Sequence, residues 1–165
     1  MDGHIAPEDL GPLATWTEDH RSDYIRSGGT RGHIVDLRIL DGHRIGTMLL
    51  LRYVGRKSGR TMITPLLYGH FRSHIVIAGT NNGSDRHPAW YHNLAGGSPV
   101  AFQIATQAFS ATWREPEGRE YDEVWDYMLG ISPRYATYRS MTQRRIPLVL
   151  LSAGDEIAPF TEPEG

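Results

Sequence analysis

The sequence predicts an α+β fold that is mainly β, with an antiparallel sheet or small barrel and flanking helices. Its 165 residues suit a single domain, and 39% apolar residues supply enough side chains for one core. The 18 glycines and 10 prolines indicate more loops than a helical bundle contains. Short strand-like runs joined by tight turns favour antiparallel pairing over a doubly wound parallel sheet.

The first half of the chain predicts one helix, a connector and three strands. Trp16, His20 and Tyr24 recur at helical spacing, a threonine at position 15 or 17 would cap the start, and Gly28 would end the helix. Runs of branched apolar residues bounded by glycine predict the strands. The predicted elements are a helix over 17–27, a mostly irregular connector over 30–46 with at most one short strand, and strands over 47–54, 62–68 and 73–78.

The second half predicts three helices and three strands. Tyr121, Val124 and Met128 fall three or four residues apart, which is typical of an amphipathic helix, and Gly130 would end it. Proline at the first helical position predicts the other two helix starts. The predicted elements are a helix from 88 to 94, strands over 99–104 and 108–114, helices over 117–129 and 133–141, and a central strand over 146–152.

Several classes of protein and of active site are excluded by composition and motif. The chain has no cysteine, which excludes disulfides, cysteine-ligated metals and thiol nucleophiles. Gly-x-Ser-x-Gly, His-Glu-x-x-His and Gly-x-Gly-x-x-Gly are absent, and the eight histidines lack metal-ligand spacing. A net charge of −2 argues against a nucleic-acid partner, and the apolar runs are too short for stable membrane insertion. The first 13 residues do not resemble a signal peptide, so we expect a cytoplasmic protein.

The loop over residues 55–60 is the strongest candidate for a binding site. Between Gly42 and Ser84 there is no Asp or Glu, whereas six cations occur there, including Arg56, Lys57 and Arg60. Glycines near both ends let the loop direct backbone N–H groups to one side, and such a concavity attracts phosphate or carboxylate groups. Lys57 is the only lysine, against sixteen arginines. The alternative interpretation is a solvated turn with a chance lysine.

Two further surfaces are weaker candidates for the same ligand. The turn over 80–84 precedes a helix start, where unpaired N–H groups attract an anionic or carbonyl group. Trp90, Tyr91, Tyr135 and Tyr138 would form a wall for a flat ligand, although ordinary core packing also explains aromatics at this spacing. Because no nucleophile, metal cage or carboxylate pair emerges, we expect catalysis to rely on a cofactor with an anionic tail and a flat ring.

In combination, these motifs resemble the deazaflavin-dependent nitroreductase family. The resemblance extends from about Trp16 to Leu151, with the motifs in family order. Many members carry Arg at the position of Met62 and Lys at that of Asn81, and the nitroimidazole-activating member has Tyr at the position of Leu67. The runs that carry the resemblance are 55–59, Pro65-Leu66, 78–83, 87–94, 133–138 and Arg145-Ile146-Pro147.

The resemblance implies a split β-barrel and the coenzyme F420, a hydride carrier with a phosphate and a polyglutamate tail. It implies one globular domain in which residues 1–46 form the helix and connector, 47–153 the cofactor-binding barrel and 154–165 an acidic tail. Tyr135 and Tyr138 are the predicted catalytic residues, which would orient or protonate the acceptor. The predicted cofactor-binding residues are Arg56, Lys57, Ser58, Gly59, Arg60, Thr80, Asn81 and Trp90.

The function that we expect is transfer of a hydride from F420H2 to an electron-poor small molecule such as a quinone, an enone or a nitroarene. Two alternatives stay open at this point. One is an FMN-dependent oxidoreductase on the same barrel, and the other is a carrier that binds F420 without catalysis. The resemblance also implies an actinobacterial setting, and pairing of barrels into a homodimer is a further expectation.

Overall fold

The computed structural model describes residues 11–36 and 45–164, with side chains from Trp16 onward. Within these residues the chain forms four helices, eight strands and one short 3-10 turn. In chain order they are α1 (Gly11–Arg26), β1 (Ile34–Val35), β2 (Gly46–Val54), β3 (Thr61–Leu67), β4 (Gly69–Phe71), β5 (His74–Ala78), the 3-10 turn (Asn81–Gly83), α2 (Ala89–Ala95), β6 (Val100–Ile104), β7 (Gln107–Arg114), α3 (Gly118–Ile131), α4 (Arg134–Ser140) and β8 (Leu148–Ile157). No helix among the described residues has the length and apolar character needed to cross a membrane.

The strands form one curled antiparallel sheet, as the sequence predicts. Its order is β1-β2-β6-β7-β8-β5-β4, and β3 pairs with β2 outside this path. Strand β2 therefore joins β3 to the rest of the sheet. It pairs with β3 along most of its length and with β6 across Leu50 to Arg52. Tight hairpins join β2 to β3, β4 to β5 and β6 to β7.

Both faces of the sheet are covered, and alternate residues of each central strand enter different cores. In β2, Leu49 and Leu51 pack in the core cluster that contains Trp90 of α2, whereas Leu50 faces the cluster that contains Tyr24 of α1. Strands β5 and β8 alternate between the α2 side and a third cluster beneath α3 and α4. This double burial explains why these strands read as nearly continuous apolar runs.

Three sequence predictions about element ends are wrong. Helix α1 begins at Gly11, so neither threonine near position 16 caps its start. Gly130 lies inside α3, which continues to Ile131 and ends before Pro133, because the residue preceding a proline is pushed out of the helical region. Pro88 precedes α2 in an extended conformation instead of occupying its first turn.

Two strand features were not expected. Strand β4 is new, and it pairs with β5 through a turn in which Arg72 adopts a positive φ of 54°. Strand β8 continues to Ile157, four residues into the segment assigned to an acidic tail, where it pairs with Ala108 and Phe109 of β7. The predicted connector contains the short strand β1, and its residues 37–44 lie outside the described part of the chain.

Candidate cofactor and active site

The basic loop over residues 55–60 is a tight, hydrogen-bonded connection between β2 and β3. The N–H of Gly55 donates to the carbonyl of Arg60, and the N–H of Gly59 donates to the carbonyl of Gly55, each at 2.8 Å. The Ser58 hydroxyl accepts the N–H of Arg60 at 3.1 Å. Gly59 has φ +69°, a conformation that glycine adopts freely. Any residue with a side chain at this position would strain the loop backbone. The loop is thus shaped by its own backbone.

The three cations of this loop are exposed and carry no acidic partner within the described residues. No carboxylate lies within 4.0 Å of Arg56, Lys57 or Arg60 in that part of the chain. The backbone N–H of Arg56 instead donates to Oδ1 of Asn93 in α2 at 2.8 Å, and the Asn93 amide donates to Ala89 at 2.9 Å. Nη1 of Arg56 also donates to Oδ1 of Asn93, at 3.4 Å. The loop is therefore docked to α2, and its three cations stay exposed.

The second candidate surface, the turn over 80–84, has an unusual backbone. Asn81, Asn82 and Gly83 have positive φ angles of 46°, 55° and 81°, as the sequence composition of this turn predicts. The N–H of Gly83 donates to the carbonyl of Thr80 at 2.9 Å, and the N–H of Ser84 donates to that of Asn81 at 3.0 Å. These bonds close the turn on itself.

The loop and the turn lie at opposite ends of α2. The loop contacts the C-terminal end, where Arg56 binds Asn93 and its side chain packs beside Gly96. The turn leads into the N-terminal end through His87 and Pro88. A helix of seven residues is about 10 Å long. The two surfaces therefore meet α2 at ends that are about 10 Å apart.

The predicted aromatic wall is divided between two cores. Trp90 is 4% exposed and packs in the cluster of Leu49 and Leu51, whereas Tyr135 is 5% exposed and packs with α3 in another cluster. Core packing, the alternative weighed for these aromatics, describes both. Tyr91 donates its hydroxyl to Glu115 at 2.9 Å, and burial together with this carboxylate raises the pKa of Tyr91 to about 12.

Of the two predicted catalytic tyrosines, Tyr138 is the one that remains partly accessible. It lies on α4, where Nε of Arg134 donates to its hydroxyl oxygen at 3.1 Å. The Arg134 guanidinium also lies 5.6 Å from the centroid of the Tyr138 ring. Helix α4 packs against the 3-10 turn, and Met141, immediately after α4, occupies the space that a side chain at Gly83 would need. Tyr138 therefore sits on the helix that covers the turn.

A family model described as "F420H(2)-dependent quinone reductase" matches residues 20–153. The chain belongs to this family. An F420H(2)-dependent quinone reductase from Mycobacterium tuberculosis is 32% identical over 130 residues, which cover 75% of this chain and 83% of the relative. The sequence-based resemblance to deazaflavin-dependent reductases is thus confirmed.

Solved structures of similar proteins agree with this family assignment. An F420H2-dependent reductase named FDR-A is 28% identical, with a TM-score of 0.58 over 64% of this chain and 93% of that chain. A structure described as a domain-swapped dimer is 26% identical, with a TM-score of 0.61 over 85% of this chain and 99% of that chain. The predicted split-barrel fold, the F420 cofactor and the oxidoreductase class are confirmed, so F420 rather than FMN is the cofactor of this family member.

The residues of this quinone reductase family member fit the anionic part of F420. A phosphate and several carboxylates require cations that are not already neutralised, and the 55–60 loop offers three. Asn81 fits less well as a direct tail ligand, because its side-chain amide donates to the carbonyl of Arg86 at 3.0 Å. Among the described residues, no group of three or more histidine, aspartate or glutamate side chains is arranged to hold a metal.

Arg144 is the residue of this site that sequence reasoning missed. It lies in the connection between α4 and β8, and its guanidinium donates to the carbonyls of Gly79, Thr80 and Ser84. Burial lowers the pKa of this guanidinium. One arginine among sixteen carries no signal in the sequence that separates it from the others. Its role becomes visible only when the fold brings residues 79–87 beside residue 144.

Proposed function

We propose that the 55–60 loop of this F420H2-dependent reductase holds the phosphate and glutamate tail of F420. The observation that carries the proposal is the group of three cations, Arg56, Lys57 and Arg60, on a loop fixed to α2 and without carboxylate partners in the described chain. Ser58 and Gly59 would shape the loop around the tail. Charge-assisted hydrogen bonds to phosphate and carboxylate are the strongest that such a loop can make.

We further propose that Thr80, Asn81 and Trp90 border the deazaflavin ring at the other end of α2. Thr80 and Trp90 are largely buried, which favours a fixed, dry wall over a mobile surface. The reduced deazaflavin supplies a hydride when bound. The task of these side chains is to hold the ring against the acceptor and to exclude water, because orientation accounts for much of the rate in such transfers.

Tyr138 is our candidate for the proton that accompanies reduction. A quinone that accepts a hydride must also gain a proton on its carbonyl oxygen, and a phenol within hydrogen-bond distance can donate it. The Arg134 guanidinium bonded to the Tyr138 oxygen would stabilise the phenolate left behind until solvent restores the proton. Tyr135 stays a predicted catalytic residue, and its burial under α3 supports a role in holding α4.

A quinone is the acceptor that the family favours, with enones and nitroarenes as the other predicted acceptors. All three accept a hydride at an electron-poor carbon or nitrogen beside a group that can take a proton. A panel of one compound from each class, assayed with F420H2 at a fixed concentration, would rank them. We expect the highest kcat/KM for the quinone, and a higher value for the nitroarene would contradict this order.

A homodimer is our proposal for the assembly, supported by the description of one similar structure as a domain-swapped dimer. Light scattering on the eluting protein would test it. We also propose a cytoplasmic location, in keeping with a sequence that has no cysteine for an oxidising compartment. Cell fractionation would test that location.

The tail site is tested by replacing Lys57 with alanine. We expect Lys57→Ala to weaken F420 binding about tenfold, because one charge-assisted hydrogen bond contributes roughly 1.5 kcal/mol or more. Replacing Arg56 by glutamine as well should weaken binding further, and the difference should shrink at high salt because salt screens exposed charges. Fluorescence titration with F420 measures both effects, with FMN titrated in parallel.

The matched control for Lys57→Ala is Arg119→Ala. Arg119 is an exposed cation on α3 with a side-chain exposure of 93%, so its removal changes the net charge equally but leaves the loop intact. The control should bind F420 like the unmodified protein. If the Arg56 and Lys57 double variant also binds F420 like the unmodified protein, the tail does not lie on this loop.

A further inference from the structure

A single guanidinium ties together both ends of the turn between β5 and α2. Nη1 and Nη2 of Arg144 donate to the carbonyls of Gly79 and Thr80 at 3.1 and 2.8 Å. Nε donates to the carbonyl of Ser84 at 2.8 Å, beyond the 3-10 turn. All three nitrogens are engaged with one backbone segment, and only the planar fork of arginine reaches three acceptors in this way.

This contact braces a backbone with uncommon angles. Asn81 and Asn82 both have positive φ, a conformation that asparagine tolerates better than most residues with a side chain but that glycine alone adopts freely. Arg144 holds the carbonyls on either side of them, at Thr80 and Ser84, and so fixes the path of the chain between these points. Without the guanidinium, the segment would be free to relax to commoner angles.

The same guanidinium determines the state of His87, which leads into α2. Nη1 of Arg144 lies 3.0 Å from Nδ1 of His87. Because a guanidinium only donates, Nδ1 must accept, and the imidazole therefore carries its proton on Nε2. The pKa of His87 is lowered by burial and further by the charge of Arg144, in agreement with a neutral ring.

We propose that Arg144 is a positioning residue that sets the shape of the 79–84 turn and thereby determines affinity for the deazaflavin ring, but not for the tail. The inference rests on the proposed function, in which Thr80 and Asn81 border the ring. The turn and the tail loop lie at opposite ends of α2, so a change at Arg144 acts on one end of the cofactor alone. Arg144 touches neither cofactor nor acceptor in this proposal.

The test compares two ligands on two variants. The ligands are intact F420 and the same deazaflavin without its phosphate and glutamates. Arg144→Lys retains the charge but loses the fork, and we expect it to weaken binding of both ligands by the same factor of about ten, because the turn is no longer held in shape and residues without ligand contact change affinity by about this much. Lys57→Ala should weaken binding of intact F420 alone. Titrations are made at a temperature at which circular dichroism shows every variant folded.

The matched control is the neighbouring arginine. Arg145 places its guanidinium 4.0 Å from the centroid of the Tyr121 ring and makes no contact with the turn among the described interactions. Arg145→Lys should leave the affinity for both ligands unchanged. A loss equal to that of Arg144→Lys would indicate a general effect of the connection between α4 and β8 and would overturn the proposal.

The protonation and tautomer of His87, measured by spectroscopy, would not change if Arg144 had a purely structural role. In Arg144→Gln, the positive charge beside His87 is removed, so the imidazole pKa should rise, and the single tautomer should become a mixture of two. Nitrogen NMR of the histidine rings in the protein without cofactor reports both quantities. An unchanged His87 spectrum in a folded Arg144→Gln protein would contradict the contact itself.

The outcomes separate this inference from the proposed function. If Arg144→Lys binds both ligands like the unmodified protein while Lys57→Ala loses intact F420, Arg144 does not position the ring site but the tail site stands. If Lys57→Ala and the double variant bind intact F420 normally, the proposed function fails whatever Arg144 does. Variants of Arg144 that do not fold at any temperature would assign the residue to folding and would overturn its positioning role.

Discussion

At the scale of single residues, burial controls the chemistry of the ionisable side chains beside α2. The pKa of His87 is lowered by burial first and then by the charges of Arg144 and His92. The pKa of Tyr91 is raised to about 12 by burial first and then by Glu115. Both side chains are neutral at physiological pH in the folded protein. They therefore act as hydrogen-bonding groups of fixed polarity rather than as charges.

The lowered pKa of His87 predicts a loss of stability in acid. An unfolded histidine takes up a proton near pH 6.5, whereas His87 in the folded protein resists protonation until lower pH. Unfolding is therefore favoured as pH falls from about 7.5 to about 5, because the unfolded state binds more protons. His87→Gln should lose less stability over this interval. Urea unfolding at both pH values measures the difference.

The control for the histidine prediction is His70→Gln, at an exposed histidine of β4. This variant should lose as much stability as the unmodified protein when the pH is lowered. The prediction is wrong if His87→Gln shows the same acid loss as the His70 variant.

At the scale of elements, the 79–84 turn is held from two sides, by Arg144 and by the end of α4. Gly83 has φ +81°, and a Cβ at this position would lie 2.8 Å from Sδ of Met141. Gly97, at the end of α2, has φ +94° but would place its Cβ in open space. The two glycines therefore share a backbone requirement and differ in what surrounds them.

This pair predicts different outcomes for the same substitution. Gly97→Ala should lower the free energy of unfolding by roughly 1–2 kcal/mol, the cost of a left-handed alanine. Gly83→Ala should lower it further, because Met141 and α4 must also move. Only Gly83→Ala should raise the KM for F420H2, since its turn carries Thr80 and Asn81. Thermal unfolding and steady-state kinetics measure these effects, and equal losses in both variants would contradict close packing of α4 on the turn.

At the scale of the whole molecule, the C-terminal segment packs on the same face of the sheet as α1. Phe160 is 2% exposed and packs in the cluster of Tyr24 and Leu50, with the Arg52 guanidinium 4.4 Å from its ring centroid. Its backbone N–H donates to Oε1 of the fully buried Gln103 at 2.6 Å. The two ends of the described chain thus meet on one face, away from α2 and the proposed cofactor site.

Because Phe160 packs in the core, replacing its side chain with that of alanine should cause a large loss of stability. Phe160→Ala should lower the free energy of unfolding by about 3–5 kcal/mol, as for other buried aromatics. Glu162→Gln, two residues on, removes only the ion pair with Arg21 and should cost about 1 kcal/mol or less. Denaturant unfolding measures both. A small effect of Phe160→Ala would mean that the segment is not part of the core in solution.

The strands and the cations of the 55–60 loop were predictable because their signals are local. The runs that form β2, β3, β6 and β7 are apolar and bounded by turn residues, which suffices to assign hairpins. Strand β4 was missed because three residues are too few for a pattern, and because Arg72 is not a residue that marks a turn. Trp90 and Tyr135 were grouped by residue type, although they lie in separate cores.

Reading the amino-acid sequence was enough to predict most sheet-forming segments, the cluster of cations at 55–60 and the family to which the chain belongs. These features depend on residues that are neighbours along the chain, where backbone preferences and charge spacing act directly. The positions of the loop and the turn at opposite ends of α2, and the bonds from Arg144 to a segment about 60 residues away in the chain, came to light only in the folded structure. Contacts between such distant residues depend on how whole strands pair and helices pack, and no short sequence window contains that information.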